Sequence, residues 1–251
     1  MKSLIYTFLQ CGGGYKSTFK QTATLDNMVI YLLGTSHIAK QSLKEVETAF
    51  ETLNPDIIAL ELDQGRLQNL FSKPAKPRLG DMRHVGLQGF LFQLLGAWAE
   101  KRMGDVVGVR PGDEMRKAVL LASKHGKKIA LIDQPIHITL RKLNKAITWR
   151  EKFRFVKDIF SSKKKIPFDL RKVPPQQLID ELLQKAQKDY PSVYKVLVEE
   201  RNHYMAKKLF LLAKKELQTT FLVIMGAGHL EGMQNLLSKT DLEVRNITGR
   251  I

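Results

Sequence analysis

Four short, mostly apolar runs mark the chain: Met28–Leu33, Ile57–Leu62, Lys128–Asp133 and Phe221–Met225. Each is of strand length, rich in β-branched residues or Leu, and none alternates cleanly with polar residues. That pattern predicts strands buried on both faces of a parallel sheet. Helical periods lie between them. Leu43, Val46, Phe50 and Leu53 recur at spacings of three, four and three, one face of a helix. Ser42 followed by Glu45 predicts a capping box at its start, and Asn54-Pro55 ends it. The result is a compact βαβ unit with a right-handed crossover. Asp113 is expected to cap a second helix carrying Met115, Val119 and Ala122, which Gly126 terminates before the third strand. Residues 136–217 are predominantly helical in pattern, broken at 163–175. Their long helix starts near Ser192 and carries Val193, Leu197, Tyr204 and Leu211. The expected class is α/β, a mainly parallel buried sheet with flanking helices. Residues 1–27 form an N-terminal hairpin or edge strands, and 28–251 form the main domain with a helical insert at about 136–217. Leu87–Trp98 is apolar, contains Gly89 and Gly96, and predicts a buried, lid or interface helix.

Two of the predicted strands end alike. The first runs into Gly34-Thr35-Ser36-His37 and the last into Gly226-Ala227-Gly228-His229. The second ends at Glu61-Leu62-Asp63 with Arg66 just beyond, and the third at Asp133-Gln134. Loops beyond the carboxyl ends of parallel strands build the site in such sheets. His37, Glu61, Asp133 and His229 are therefore expected on one edge. Two imidazoles and a carboxylate suit a divalent metal ion with open positions. Such an ion polarises a carbonyl and activates water, with a second carboxylate as general base. The plainer alternative is that each histidine is a satisfied structural residue at a strand end. His84, His125 and His203 read as loop or helix-surface residues.

Charge adds a second candidate surface. Lys and Arg number 41 against 25 Asp and Glu, a net charge of +16. Residues 141–172 hold twelve basic against three acidic residues, with Trp149, Phe153, Phe155 and Phe160 among them. That stretch is either a solvated basic helix and loop on the outer surface or a contact for anionic lipid or nucleic acid. The expectation is weak, non-specific polyanion binding, with no specific nucleic-acid partner. A single cysteine, Cys11, excludes an internal disulfide and a Cys-rich zinc site, and points to a cytoplasmic chain. No apolar run approaches the roughly 20 residues of a membrane helix.

Three look-alike motifs carry less. Gly12-Gly13-Gly14-Tyr15-Lys16-Ser17 has Tyr15 where a phosphate loop needs glycine. Gly226, Gly228 and Gly232 resemble a dinucleotide turn, without room for the rest of that unit. Glu61 and Asp63, two residues apart at one strand end, make a poor glycosidase pair.

Taken in order, L-L-G-T-S-H at 32–37, I-I-A-L-E-L-D-x-x-R at 57–66 and G-A-G-H-L-E-G-M at 226–233 resemble the TraB/PrgY family. That family is related to the GumN proteins and the Tiki metalloproteases. G-V-R-P-G-D-E-M at 108–115, L-I-D-Q-P-I-H-I-T-L-R at 131–141 and E-E-R-N-H-Y-M-A at 199–206 extend the resemblance. It implies a fold shared with Tiki, erythromycin-esterase and ChaN-like proteins. It also implies a metal-dependent, peptidase-like hydrolase, with His37, Glu61 and His229 as metal ligands. Glu61, Arg66, Glu114, Asp133, Glu200 and Arg201 are the implied catalytic set. In the PrgY branch the implied role is shutdown of peptide pheromone signalling, by degradation or sequestration. A non-catalytic peptide-sequestering module and a basic adaptor for anionic membrane or nucleic acid are the alternatives. Many family members carry membrane helices after this domain. None is read here, so at most a peripheral membrane contact is expected. Gln134 stands where the family usually has arginine after Asp133.

Overall fold

The structure, a computed structural model, describes residues 28–35, 40–72, 112–161, 176–216 and 218–249. Its centre is a five-stranded, wholly parallel sheet in the order β3-β2-β4-β1-β5. The strands are β1 (Val29–Thr35), β2 (Ile57–Leu60), β3 (Lys128–Leu131), β4 (Thr220–Gly226) and β5 (Glu243–Asn246). The first four occupy the four apolar runs. The fifth lacks an apolar run, and its residues alternate between exposed and half-buried. The N-terminal 27 residues and the apolar segment 87–98 lie outside the described residues.

Successive residues of each strand feed opposite cores. Ile57 and Ala59 of β2, and Phe221, Val223 and Met225 of β4, enter one. Ile58 and Leu60, and Leu222 and Ile224, enter the other. This two-sided burial is why none of the inner strands alternates in hydropathy. The second face is covered by α1 (Lys40–Leu53), α2 (Gln64–Phe71) and α3 (Asp113–Lys124). On the first face lie the two helices beside β4. The chain between β3 and β4 supplies α4 (Ile136–Ala146), α5 (Trp149–Ser161), α6 (Gln176–Asp189) and α7 (Pro191–Tyr194). A π turn at Lys195–Glu199 then leads into α8 (Glu200–Ala213), and α9 (Ala227–Leu237) follows β4. Met205 and Leu209 of α8 and Leu230 and Met233 of α9 pack on the sheet.

Several local expectations shift. Helix α1 begins at Lys40, so Ser42 and Glu45 lie inside it, both buried, and form no capping box. The N-cap of α3 is Gly112 rather than Asp113. At φ +91 it adopts a left-handed conformation that suits glycine, and Asp113 falls in the first turn. On α8 the buried stripe is Met205, Leu209 and Leu212, while Leu211 is exposed. The π turn accounts for this phase error, because it breaks the 3.6-residue period that the expectation assumed. Residues 141–161 form parts of two helices, and 162–175 lie outside the described residues.

Ile224 sits on the central strand with no exposed surface. Ile224→Ala is expected to cost about 2–5 kcal/mol, the range for emptying a packed core site. Val244→Ala on edge strand β5 should cost distinctly less. Urea unfolding midpoints of the two variants measure the difference.

Candidate functional site

The carboxyl edge of the sheet ends in charge. Glu61 follows β2, Asp133 follows β3, and His229 stands in the first turn of α9 directly after β4. All three are buried. Arg201, near the start of α8, reaches over the edge and joins them.

All five N–H donors of Arg201 are engaged. Nε donates to Asp133 Oδ1 at 3.1 Å and Nη2 to Asp133 Oδ2 at 2.6 Å, a two-pronged grip. Nη2 also donates to Glu61 Oε1. Nη1 donates to the Leu197 carbonyl of the π turn and to His229 Nε2, each at 3.1 Å. Burial alone would lower the guanidinium's pKa; Asp133 and Glu61 outweigh it and drive it further up. Arg201 is a permanent cation here.

This contact fixes the histidine tautomer. A guanidinium has no acceptor, so His229 Nε2 must accept from Arg201. The ring proton is then on Nδ1, which donates to Asn202 Oδ1 at 2.6 Å. His229 is neutral in this arrangement, so its 3.4 Å approach to Glu61 Oε1 is not an ion pair. Asn202 itself fits because residue 232 is glycine. A Cβ there would overlap its amide nitrogen. The last glycine of G-A-G-H-L-E-G-M thus makes space for the group that orients the histidine of the same motif.

A second arginine closes the cluster from the solvent side. Arg66 donates from Nη2 to Asp133 Oδ2 and from Nε to Asp63 Oδ2, the latter at 2.9 Å. Asp63 is the N-cap of α2, accepting from the backbone N–H groups of Gly65 and Arg66. It also accepts the Ile136 N–H at 3.1 Å, satisfying an otherwise orphaned donor at the start of α4. Burial would raise the Asp63 carboxyl, but these bonds together with the Arg66 charge hold it below its usual value. Glu61 Oε2 likewise accepts the Gly226 N–H at 2.6 Å, and Asp133 Oδ1 accepts that of Gln134 at 2.6 Å. Three carboxylates and two guanidiniums thus form one bonded group with a formal charge of −1. Their field reaches along α8. Burial lowers the pKa of the Lys208 ammonium and raises that of the Tyr204 hydroxyl. Asp133 and Asp63 partly offset the first shift and add to the second.

The other expected residues are placed as follows. Glu200 lies outside the cluster, paired with Lys142 at 2.7 Å. Lys142 also bonds Gln134 Oε1 at 3.2 Å, so the basic stretch begins beside the strand ends instead of away from them. Glu114 is buried in the first turn of α3, on the opposite face of the sheet from α8 and α9, and takes no bond from Arg201 or Arg66. His37 lies outside the described residues. Asp63 and Asn202 were not among the candidates. Both were visible in the quoted motifs, Asp63 as a cap three residues before Arg66 and Asn202 directly after Arg201. Beside the cluster, an open groove of about 840 Å³ runs between α4 and the π turn, lined by Gln134, Lys142, Lys145, Lys195, Glu199 and Tyr204 among others.

A parallel α/β protein with this charged group at its strand ends matches a known set of sequences. The sequence matches the TraB/PrgY/gumN family over residues 20–246, and the chain belongs to that family. It is 35% identical over 223 residues to an uncharacterized protein of Methanocaldococcus jannaschii, covering 84% of this chain and 54% of that protein. The chain thus spans about half the length of this archaeal relative. The TraB domain-containing proteins of Homo sapiens and Mus musculus are 24% and 23% identical, each over 92% of this chain and 68% of the relative.

Two outcomes follow from the geometry. A carboxyl held low contributes stability above its unfolded value, near 3.9, and loses it as pH falls through the folded value. Asp63→Asn should therefore lower stability at neutral pH and flatten its decline as pH falls below about 4, measured by thermal melts at stepped pH. Gly232→Ala should keep the far-UV circular dichroism of the parent while displacing Asn202. His229 then loses the acceptor of its Nδ1–H, which the nitrogen-15 chemical shift of that ring nitrogen reports.

Proposed function

We propose that the cluster at the carboxyl edge is the centre of a metal-dependent hydrolase acting on peptide bonds. One observation carries the reading. Glu61 Oε1 and His229 Nε2 stand 3.4 Å apart, the spacing that two ligands at roughly 2.0–2.1 Å from one ion adopt. The far ring nitrogen is held by Asn202, as imidazole ligands of metals generally require. The bonded group's formal charge of −1 also favours a further cation. Within the described residues no cluster of three or more His, Cys, Asp or Glu side chains is arranged to hold an ion. The expected third ligand, His37, lies outside them.

A divalent cation there would polarise a scissile carbonyl and activate water. The protein's own groups do the rest. Asn202 keeps the His229 Nε2 lone pair directed into the site. Asp133 anchors Arg201 by two bonds and would keep it in place if an ion took the single His229 Nε2 lone pair in place of Arg201 Nη1. Arg66 has a side chain 29% exposed and donors beyond its two carboxylate bonds. It is the guanidinium that can hold a substrate carboxylate or a developing oxyanion. The adjoining groove, lined by lysines and by Glu199 and Glu200, suits an extended peptide.

The saturation of Arg201 favours one other reading, a non-catalytic module in which the cluster is structural and the groove sequesters peptide. Elemental analysis of protein purified without chelators, beside His229→Ala and Glu61→Gln, separates the two. The hydrolase reading expects near-stoichiometric divalent metal in the parent and loss in both variants, with peptide cleavage following metal content. Metal-free parent protein that still binds peptide would establish the sequestering module.

A further inference from the structure

Helix α5 exposes two of its aromatic residues, Trp149 and Phe153. Trp149 is 73% exposed and Phe153 is 72% exposed, the two most exposed large apolar side chains among the described residues. They stand at i and i+4, with ring centroids 6.4 Å apart. Lys152 Nζ lies 4.6 Å above the Trp149 ring, and Arg150 and Lys157 are exposed on the same helix. Exposed Arg141 and Lys145 continue the positive charge along α4.

The opposite side of α5 is fastened to the body of the protein. Thr148 and Glu151 form the capping box of this helix: the Thr148 N–H donates to Glu151 Oε2 at 2.9 Å, and the Glu151 N–H returns to Thr148 Oγ1 at 3.3 Å. The second oxygen of the buried Glu151 accepts the Ser192 N–H at 2.8 Å, tying α5 to the start of α7. Arg154 donates to the Asp189 carbonyl at 2.8 Å. The acidic residue nearest the aromatic pair is therefore turned inward and spent on backbone N–H groups. Among the described side chains of α5, Trp149, Arg150, Phe153 and Lys157 are left exposed.

We infer that this face of α5 is a docking surface for an anionic lipid bilayer, with Trp149 and Phe153 entering the headgroup boundary and the lysines and arginines meeting lipid phosphates. Charge complementarity selects the occupant. The chain carries +16, and basic side chains beside a pair of exposed rings are the composition of helices that lie in a membrane interface. Trp in particular prefers that boundary, its ring amphipathic like the layer it enters. Single-stranded nucleic acid also stacks on aromatics. Here, however, one of the two rings is already covered by Lys152, leaving no open platform of successive rings. The surface is independent of the charged cluster at the strand ends, and its test does not depend on any hydrolase activity.

The test is co-sedimentation of the full chain with vesicles of phosphatidylcholine mixed with phosphatidylserine, and with phosphatidylcholine alone. The expected result is binding to the anionic vesicles only, weakening as salt rises. Trp149→Ala/Phe153→Ala should weaken it by about tenfold or more, with an unchanged melting temperature because neither ring is core. Lys152→Glu/Lys157→Glu should weaken it as well. Equal binding by the double alanine variant, equal binding to neutral vesicles, or no vesicle binding alongside binding of a single-stranded RNA oligonucleotide would each overturn the inference.

Discussion

Burying three carboxylates at one end of a sheet is possible only if cations go in with them. Arg201 meets most of that requirement. Its fork binds Asp133 twice and Glu61 once, and its remaining donors reach the π turn and His229. Everything at this edge is arranged around that guanidinium. It selects the tautomer of His229, which in turn needs Asn202, which in turn needs the bare backbone of Gly232. Removing one partner of a buried pair leaves the other uncompensated, typically at a cost of about 3–5 kcal/mol. The edge is therefore set as a unit.

The sheet explains why residues so distant in sequence meet there. Strand β4 lies between β1 and β2, pairing with both, so Glu61 lies against Gly226 through a direct hydrogen bond. Asp63 and Arg66 are held at the same edge by capping α2, and the start of α4 is pinned to Asp63 in turn. Ordinary helix-end chemistry thus doubles as site architecture. The same carboxylate that satisfies backbone donors also aims Arg66 at Asp133.

Much of this was legible in the residues. Burial leaves unbroken apolar runs, so the first four strands could be read, and the polar residues after them identified the edge where Glu61, Asp133 and His229 now meet. What could not be read depended on partners. Strand β5 is half covered and its hydropathy is unremarkable. The stripe of α8 was misphased because a π turn has no clear composition signal. Glu200 and Arg201 are adjacent, yet only Arg201 enters the cluster. Neighbouring positions on a helix point about 100° apart, and which one faces inward is decided by packing. The roles of Asp63 and Asn202 came from contacts across elements, although both residues stood inside recognisable motifs.

The position of β4 also governs how the molecule comes into being. Strands β1 and β2 are consecutive in the chain but do not touch; each pairs with β4, whose residues begin at Thr220. Until that segment leaves the ribosome, both strands present unpaired edges and apolar faces, which are hazards for association. The helices between β3 and β4 emerge first, before the sheet they cover can close. From β1 until Thr220 the nascent chain therefore lacks a closed sheet. When β4 arrives it joins the two halves of the sheet and, through the Gly226 N–H, completes the bonding of Glu61 in the same event.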